Sequence, residues 1–273
     1  MIQDIFPHVF NNSYKDIRPA EGDPVICFKD GKILGRHDVD AHRLILPRAD
    51  AKTDLIYLFS IDEDSYFLDL APRDGQDGFL WFSVREIRDL GIEDQRMVFA
   101  SFTAYHLAEW YRDNRFCGVC GKSLTIASDE RALDCPACHK RIYPRINPAV
   151  IIGVKNGDRI LITRYRQGYA HNALVAGFTE IGETLEQTVS REVMEEAGLK
   201  VKNIQYYKSQ PWGMAADILM GFFCEVDGDD TIKMDEGELK YAEWIKREDI
   251  VLQPSDYSLT NEMMKVFKEG REV

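Results

Sequence analysis

Apolar positions in the first third of the chain come in short bursts instead of long periodic faces. Between Pro24 and Val84 the runs PVICF, LIL, DLIYLFSI and GFLWFSV are rich in β-formers and broken by turn signals such as Asp30-Gly31, which predicts a mostly β N-terminal domain. From Gln95 to Asn114 the pattern changes. Val98, Phe99, Phe102, Leu107, Trp110 and Tyr111 recur at helical spacing and predict a helix leading out of that domain. Beyond it, AVIIGV and RILITRY flank Asn156-Gly157-Asp158 as a β-hairpin. Further strands are predicted over 203–209, 218–226 and 241–245, with helices over 184–197 and 260–269. Strands and helices in this mixed order predict an α/β sandwich for the C-terminal half.

Length and composition fit this division. A chain of 273 residues, at about 150 per domain, points to two domains. Hydrophobic residues make up 45% and charged residues 29%, with 14 Phe, 12 Tyr and 4 Trp, a globular composition with ample aromatic core material. Lys and Arg number 34 against 46 Asp and Glu, a net charge of −12. The molecule as a whole therefore repels polyanions, which leaves room only for a local basic patch. No run approaches the roughly 18 apolar residues of a membrane span, and the first fifteen positions carry Asp4 without a basic cluster or apolar core, so a soluble, cytoplasmic protein is expected.

Four of the six cysteines form two C-x-x-C pairs, Cys117 with Cys120 and Cys135 with Cys138, separated by 14 residues. Each such knuckle supplies two thiolates, and two knuckles close a tetrahedral zinc site with no open position. A structural zinc in a small ribbon is the expectation. His139 is an extra donor beside a shell that is already complete. Lys122, Arg131, Lys140, Arg141 and Arg145 surround the knuckles and read either as a nucleic-acid face or as soluble surface.

The segment GFTEIGETLEQTVSREVMEEAGL, Gly177 to Leu199, is the richest in chemistry. Thr184 and Gln187 make a capping-box signature and Gly198 a left-handed stop, which bounds the helix. Leu185, Val189, Val193 and Ala197 form its core-facing stripe. Glu192, Glu195 and Glu196 stand at i, i+3 and i+4, where like charges destabilise a helix by roughly 0.2–0.5 kcal/mol per pair. A cation that offsets this cost is expected, and all-oxygen ligation suits magnesium or manganese acting on a diphosphate.

The whole pattern resembles the Nudix box: Gly177, five residues, Glu183, seven residues, then Arg191-Glu192-Val193, Glu195-Glu196 and Gly198-Leu199. Seven fixed identities at about 7% each arise by chance on the order of once in a hundred million windows. The two cysteine knuckles just upstream, Tyr143-Pro144-Arg145, and Ser209-Gln210-Pro211-Trp212 ten residues beyond the box narrow the resemblance to the zinc-containing NADH pyrophosphatase family. In that family the SQPW string continues as Pro-Phe-Pro-x-Ser. Here Gly213-Met214-Ala215-Ala216-Asp217 follows, a continuation without the prolines and the ring, expected to be looser in backbone.

The resemblance implies a Nudix α/β/α sandwich over 146–273, a zinc ribbon over 113–145 and a Nudix-associated domain over 1–112. It implies magnesium or manganese held by the Ala176 carbonyl, Glu192, Glu195, Glu196 and Glu238, with Arg191 and Glu183 completing the catalytic set. Arg191 is expected to orient a carboxylate through a bidentate contact. Dinucleotide contacts fall to Tyr143, Ala176, Phe178, Gln210 and Trp212, of which Tyr143, Phe178 and Trp212 offer rings as stacking faces. The implied reaction is hydrolysis of the diphosphate of NADH or NAD+ to nicotinamide mononucleotide and AMP. Removal of NAD caps from RNA 5′ ends would be the same scission, and a homodimer is implied. The competing readings are a Nudix hydrolase of another dinucleotide or ADP-ribose, and a catalytically idle protein that binds nucleotide or nucleic acid. Idleness sits poorly with a complete and self-repelling set of box carboxylates.

Overall fold

The β-rich runs become strands in a computed structural model that describes residues 1–50, 54–71, 78–166 and 171–272. They are β1 (Phe10–Asn11), β2 (Val25–Lys29), β3 (Lys32–Asp38), β4 (Arg43–Ile45), β5 (Ile56–Ile61), β6 (Asp64–Asp69) and β7 (Leu80–Ser83). These lie in one sheet of order β1-β5-β6-β2-β3-β4, with β7 beside β3. Asp30 and Gly31 have φ of 51° and 73°, the left-handed pair that a two-residue hairpin needs, and Lys29 pairs with Lys32 across them. β3 and β6 carry charged residues at their ends and lie outside the runs that the pattern picked; pairing with their neighbours, not composition, makes them strands. The apolar run ending at Val84 divides where the sequence reading had only a strand. Ser83 accepts from the Glu86 amide at 3.1 Å while the Glu86 carboxylate accepts from the Ser83 amide at 2.6 Å, and this capping box starts α1 (Val84–Asp89). α2 (Gln95–Asp113) buries all six apolar residues that set its periodicity.

Three short strands follow, β8 (Thr125–Ile126), β9 (Leu133–Asp134) and β10 (Arg141–Ile142), in the order β10-β9-β8. They carry the cysteine knuckles. Asp4–Arg145 together with Trp212–Ala216 form one compact unit, and Met1–Gln3, Ile146–Pro211 and Asp217–Val273 the other.

The second unit contains β11 (Asn147–Asn156), β12 (Arg159–Tyr165), β13 (Val175–Phe178), α3 (Leu185–Ala197), all but the last residue of β14 (Val201–Trp212), β15 (Asp217–Val226), β16 (Leu239–Lys246) and α4 (Leu259–Lys268). Its sheet runs β14-β15-β11-β12-β16, with β13 on β11, and β11 and β15 are parallel. Because side chains alternate along a strand, β11 serves two cores. Val150, Ile152 and Val154 pack with Val189, Val193 and Ala197 of α3. Ile151 faces the other way, towards Leu259, Met263, Met264 and Phe267 of α4. The result is the expected α/β/α sandwich, each fully buried aliphatic side chain contributing about 1.5–3 kcal/mol. No helix among the described residues is long and apolar enough to cross a membrane.

The segment after Trp212 differs from the loose loop expected of it. Ala215 donates to the Trp212 carbonyl at 3.3 Å and Ala216 to the Gly213 carbonyl at 3.4 Å, while the Trp212 and Phe102 rings sit 5.3 Å apart. Gly213 is buried, and a Cβ on it would lie 2.0 Å from the Phe102 carbonyl oxygen of α2. The missing prolines are therefore offset by close packing on a helix, and a proline at 213 would collide with backbone. Gly213→Ala should lower stability by about 1–3 kcal/mol, read as a drop in the urea midpoint; an unchanged midpoint would show that this segment does not rest on α2.

Candidate active site and cysteine metal centre

Arg191, on the second turn of α3, ties the acidic segment together. Its Nε and Nη2 donate to the two Glu183 oxygens at 2.6 and 3.0 Å, a bidentate pair. Nη1 reaches Glu192 at 2.7 Å and Glu195 at 3.0 Å, and Nη2 also holds the Phe178 carbonyl at 2.9 Å. Glu183 accepts further bonds from the Glu180 amide at 3.1 Å and the Thr188 hydroxyl at 3.0 Å. These donors, Arg191 foremost, hold its carboxyl down at about 2. One cation thus fixes the end of β13, the loop after it and the first half of α3.

The three box glutamates are not equivalent. Val189 and Val193 turn the helix so that Glu192 and Glu196 face the sheet, 9% and 2% exposed, while the Glu195 side chain is 60% exposed. Gly177 makes room for this. A Cβ there would lie 1.9 Å from the Glu192 carboxyl carbon, so only glycine lets the carboxylate lie over β13 in this position. Burial raises Glu192, and burial together with the charges of Glu192 and Glu238 pushes Glu196 up to about 8. Glu196 accepts from the Tyr165 hydroxyl at 3.2 Å; among the described residues no basic side chain pairs with it. Glu238 is exposed, just ahead of β16, and its field reaches both buried carboxylates. The donor set is all oxygen, acidic and short of positive charge, which suits a hard divalent cation. These carboxylates do not draw together as tightly as the thiols do: among the described residues, only the four cysteines place all their ligand atoms within 4.8 Å of one another.

Those cysteines fit zinc closely. Tetrahedral zinc with Zn–S near 2.3 Å spaces sulfurs by about 3.8 Å, and here Cys117 and Cys138 are 3.6 Å apart, Cys120 and Cys135 3.4 Å. The two knuckles repeat one backbone pattern. Cys117 donates to Lys122 and Gly121 to Cys117, both at 2.8 Å; Cys135 donates to Lys140 at 2.9 Å and His139 to Cys135 at 3.0 Å. Amides of Cys120 and Val119 face Cys117, and those of Cys138 and Ala137 face Cys135, holding both thiols below their ordinary range, Cys135 at about 6. His139 is exposed and has φ of 60°, the counterpart of Gly121 at 73°; it serves the turn and lies outside the ligand group. Of the basic residues near the ribbon, Arg141 is engaged by Asp129, Glu130 and Asp134, and Arg131 by the Asn12 side chain and the Leu58 carbonyl.

The residues expected at the dinucleotide are dispersed over the two units. Tyr143 and Trp212 belong to the first; Tyr143 is 54% exposed, its hydroxyl donating to Glu130 at 2.8 Å. Ala176 and Phe178 sit on β13 of the second unit, and the Phe178 side chain is exposed. Gln210 has no exposure at all. Its Nε2 donates to the Tyr257 carbonyl at 2.7 Å and to Gln3 at 3.2 Å, and its Oε1 accepts from the Leu259 amide at 2.7 Å, so its amide anchors the start of α4. Tyr165, against Glu196 and Ala176, was absent from the sequence-based set; its one sequence signal is its place two residues after Thr163 on β12.

Residues 145–267 match the NUDIX domain family and residues 112–143 the NADH pyrophosphatase zinc ribbon domain family. A crystal structure of a NUDIX hydrolase from Nitrosomonas europaea shares the fold, with a TM-score of 0.51 at 23% identity, covering 57% of this chain and 92% of that one. Fold and site thus define a Nudix domain preceded by a zinc ribbon. The chain belongs to the zinc-ribbon NADH pyrophosphatase family of Nudix hydrolases. It is 41% identical over 175 residues to the NAD-capped RNA hydrolase NudC of Escherichia fergusonii and to that of Enterobacter sp. (strain 638). Each match covers 63% of this chain and 66% of the relative, just under two thirds of its length.

Two outcomes follow for the two metal centres. The folded-state value of Glu196, about 8 against an ordinary 4.5, means the native state binds the extra proton between those values. The metal-free protein should therefore lose stability as pH rises from 5 to 8. Glu196→Gln should flatten this fall in the denaturation midpoint, and an equal slope in both proteins would contradict the burial of a charged carboxylate. Cys135→Ser should instead release zinc, measured by atomic absorption, and lower the melting temperature, because structural zinc contributes folding free energy directly.

Proposed function

We propose that this chain is a magnesium- or manganese-dependent diphosphatase that splits NADH or NAD+ into nicotinamide mononucleotide and AMP. By the same scission it removes NAD caps from RNA 5′ ends. The observation that carries the reading is the buried pair Glu192 and Glu196 beside Ala176, with Glu238 in their field, in a chain whose relatives are named for hydrolysis of NAD-capped RNA. Glu192, Glu196, Glu238 and the Ala176 carbonyl, with Glu195, hold the catalytic cation. That cation, when bound, supplies positive charge at the diphosphate oxygens and acidifies water. Arg191, with Glu183, holds the box carboxylates in register. Glu195 or Glu196 takes the proton from the attacking water at phosphorus, and the other phosphate leaves as a monoester.

Tyr143, Phe178 and Trp212 serve as stacking faces for the two rings of the substrate, a sequence-tolerant interaction worth about 1–3 kcal/mol per base. Residues 1–112 act as a Nudix-associated domain, 113–145 as the ribbon and 146–273 as the hydrolase domain, in a cytoplasmic homodimer. A second reading, hydrolysis of another dinucleotide or of ADP-ribose, draws on two features: the fully engaged amide of Gln210, and a segment after Trp212 that packs on α2. Incubation of the purified protein with NADH, NAD-capped RNA or ADP-ribose and manganese, followed by chromatography, separates the readings. AMP and nicotinamide mononucleotide should appear from NADH, and Glu196→Gln should lose at least two orders of magnitude in rate. No AMP above a no-enzyme blank would sink the leading reading, and release from ADP-ribose alone would favour the second.

A further inference from the structure

Tyr165 closes β12 at a place where the ladder is irregular. Side chains alternate along this strand, Leu161 joining the core beneath α3 and Ile160 and Ile162 the core beneath α4, so Tyr165 falls on the α3 side with Leu161 and Thr163. Its pairing with β16 shifts just there. Arg164 lies opposite Tyr241 but Tyr165 opposite Leu239, which leaves Lys240 as the extra residue of a bulge. One position further on, the Arg166 amide donates to the Glu238 carbonyl at 3.0 Å. A bulge bends its strand and re-aims the side chains beside it, and this one draws the end of β12 and Glu238 together.

The Tyr165 hydroxyl then touches two of the groups assigned above to the catalytic cation. It lies 3.2 and 3.3 Å from the two Glu196 oxygens. The Ala176 amide donates to it at 3.2 Å, and the Ala176 carbonyl oxygen is 3.5 Å away. A phenol has one proton to give. With the Ala176 amide as donor to its oxygen, that proton goes to the nearer acceptor, the Glu196 carboxyl group, and not to the Ala176 carbonyl. The hydroxyl therefore couples the side-chain torsions of Glu196 to the peptide that carries the Ala176 carbonyl.

We propose that Tyr165 is a positioning residue of the divalent-cation site, its hydroxyl fixing the Glu196 carboxylate and the Ala176 peptide in the orientation that presents their oxygens to the ion. This rests on the reading of Glu196 as a ligand. Groups that orient ligands from behind are worth about 10–100-fold in metal affinity, and a buried glutamate with free torsions would otherwise pay rotamer entropy on each binding event. Phenylalanine keeps every ring carbon and removes only the hydroxyl.

The test measures Mn2+ binding to the full-length, zinc-loaded protein without substrate, by electron paramagnetic resonance of the free ion. Four proteins are compared: wild type, Tyr165→Phe, Glu196→Gln and the double variant. Tyr165→Phe should weaken Mn2+ about 10–100-fold with zinc content unchanged, and should have no further effect in the Glu196→Gln background. Wild-type Mn2+ affinity in Tyr165→Phe, with affinity lost in Glu196→Gln, overturns the proposal and leaves the ligand assignment standing. An equal loss from Tyr165→Phe in both backgrounds overturns it as well, because the hydroxyl would then not act through Glu196. Wild-type affinity in Glu196→Gln overturns the ligand assignment itself. Should Tyr165→Phe lose its near-ultraviolet circular dichroism, the pair of glutamate backgrounds is compared with Tyr165→Trp, read in the same way.

Discussion

Two carboxylates one helical turn apart, pressed against the same sheet, are the constraint around which the second unit is arranged. Glu192 and Glu196 are both buried; burial raises each of them, and the charge of Glu192 raises Glu196 further. Desolvation and like-charge proximity both oppose folding. The surrounding structure meets the two charges by different means. Glu192 receives a guanidinium, because Arg191 can reach it from the adjacent position at 2.7 Å while its other nitrogens hold Glu183. Glu196 receives neutral donors alone, the Tyr165 hydroxyl at 3.2 Å and the Ala176 amide. Neutral donors relieve desolvation only in part, which is why Glu196 remains the more strongly raised of the pair.

Much of this was legible in the sequence, and the reasons are local. The capping residues Thr184 and Gln187 and the stop at Gly198 set the limits of α3 by hydrogen bonds within a few residues, and local bonds are what a linear pattern encodes. Alternation along AVIIGV encodes a strand with two buried faces. The cysteine spacing encodes two knuckles of matching backbone geometry. By contrast, i, i+3 and i+4 spacing treats Glu192, Glu195 and Glu196 alike, and only the position of the valine stripe against the sheet buries two of them and exposes the third. Gln210 sits in a family-like string, yet its environment comes from Gln3 and Tyr257, which are 207 and 47 positions away. Tyr165 and Gly213 were illegible for the same reason: a bulge in β12·β16 and the approach of the Phe102 carbonyl are tertiary facts.

The ribbon shows how a basic composition can mislead when its partners are unseen. Arg141 lies among Asp129, Glu130 and Asp134, two acids from the turn between β8 and β9 and one from β9 itself. Its charge is neutralised within the fold. Arg131 is half-buried and spends its two terminal nitrogens on Asn12 and the Leu58 carbonyl. Counting Lys and Arg around the knuckles therefore overstates the field available to a phosphate backbone, because a guanidinium already bonded to carboxylates has little left to exchange for condensed counterions.

The first letter of the Nudix box acquires a physical meaning from the same arrangement. Gly177 does not occupy a left-handed turn; it pairs with Val150 in a regular antiparallel ladder, where a β-branched residue would ordinarily be favoured. Its lack of a side chain instead makes space for another residue's carboxylate, since Glu192 lies where a Cβ would be. The glycine fifteen positions before the helical glutamate and the glutamate itself therefore occupy one volume. Arg191 sets the registration between them by holding the Phe178 carbonyl, one residue after the glycine, at 2.9 Å and Glu192 at 2.7 Å. A motif that reads as spaced letters along the chain is, in the folded unit, a single packing contact between β13 and α3, and its spacing is the length of chain needed to leave the strand, turn through Glu183 and return.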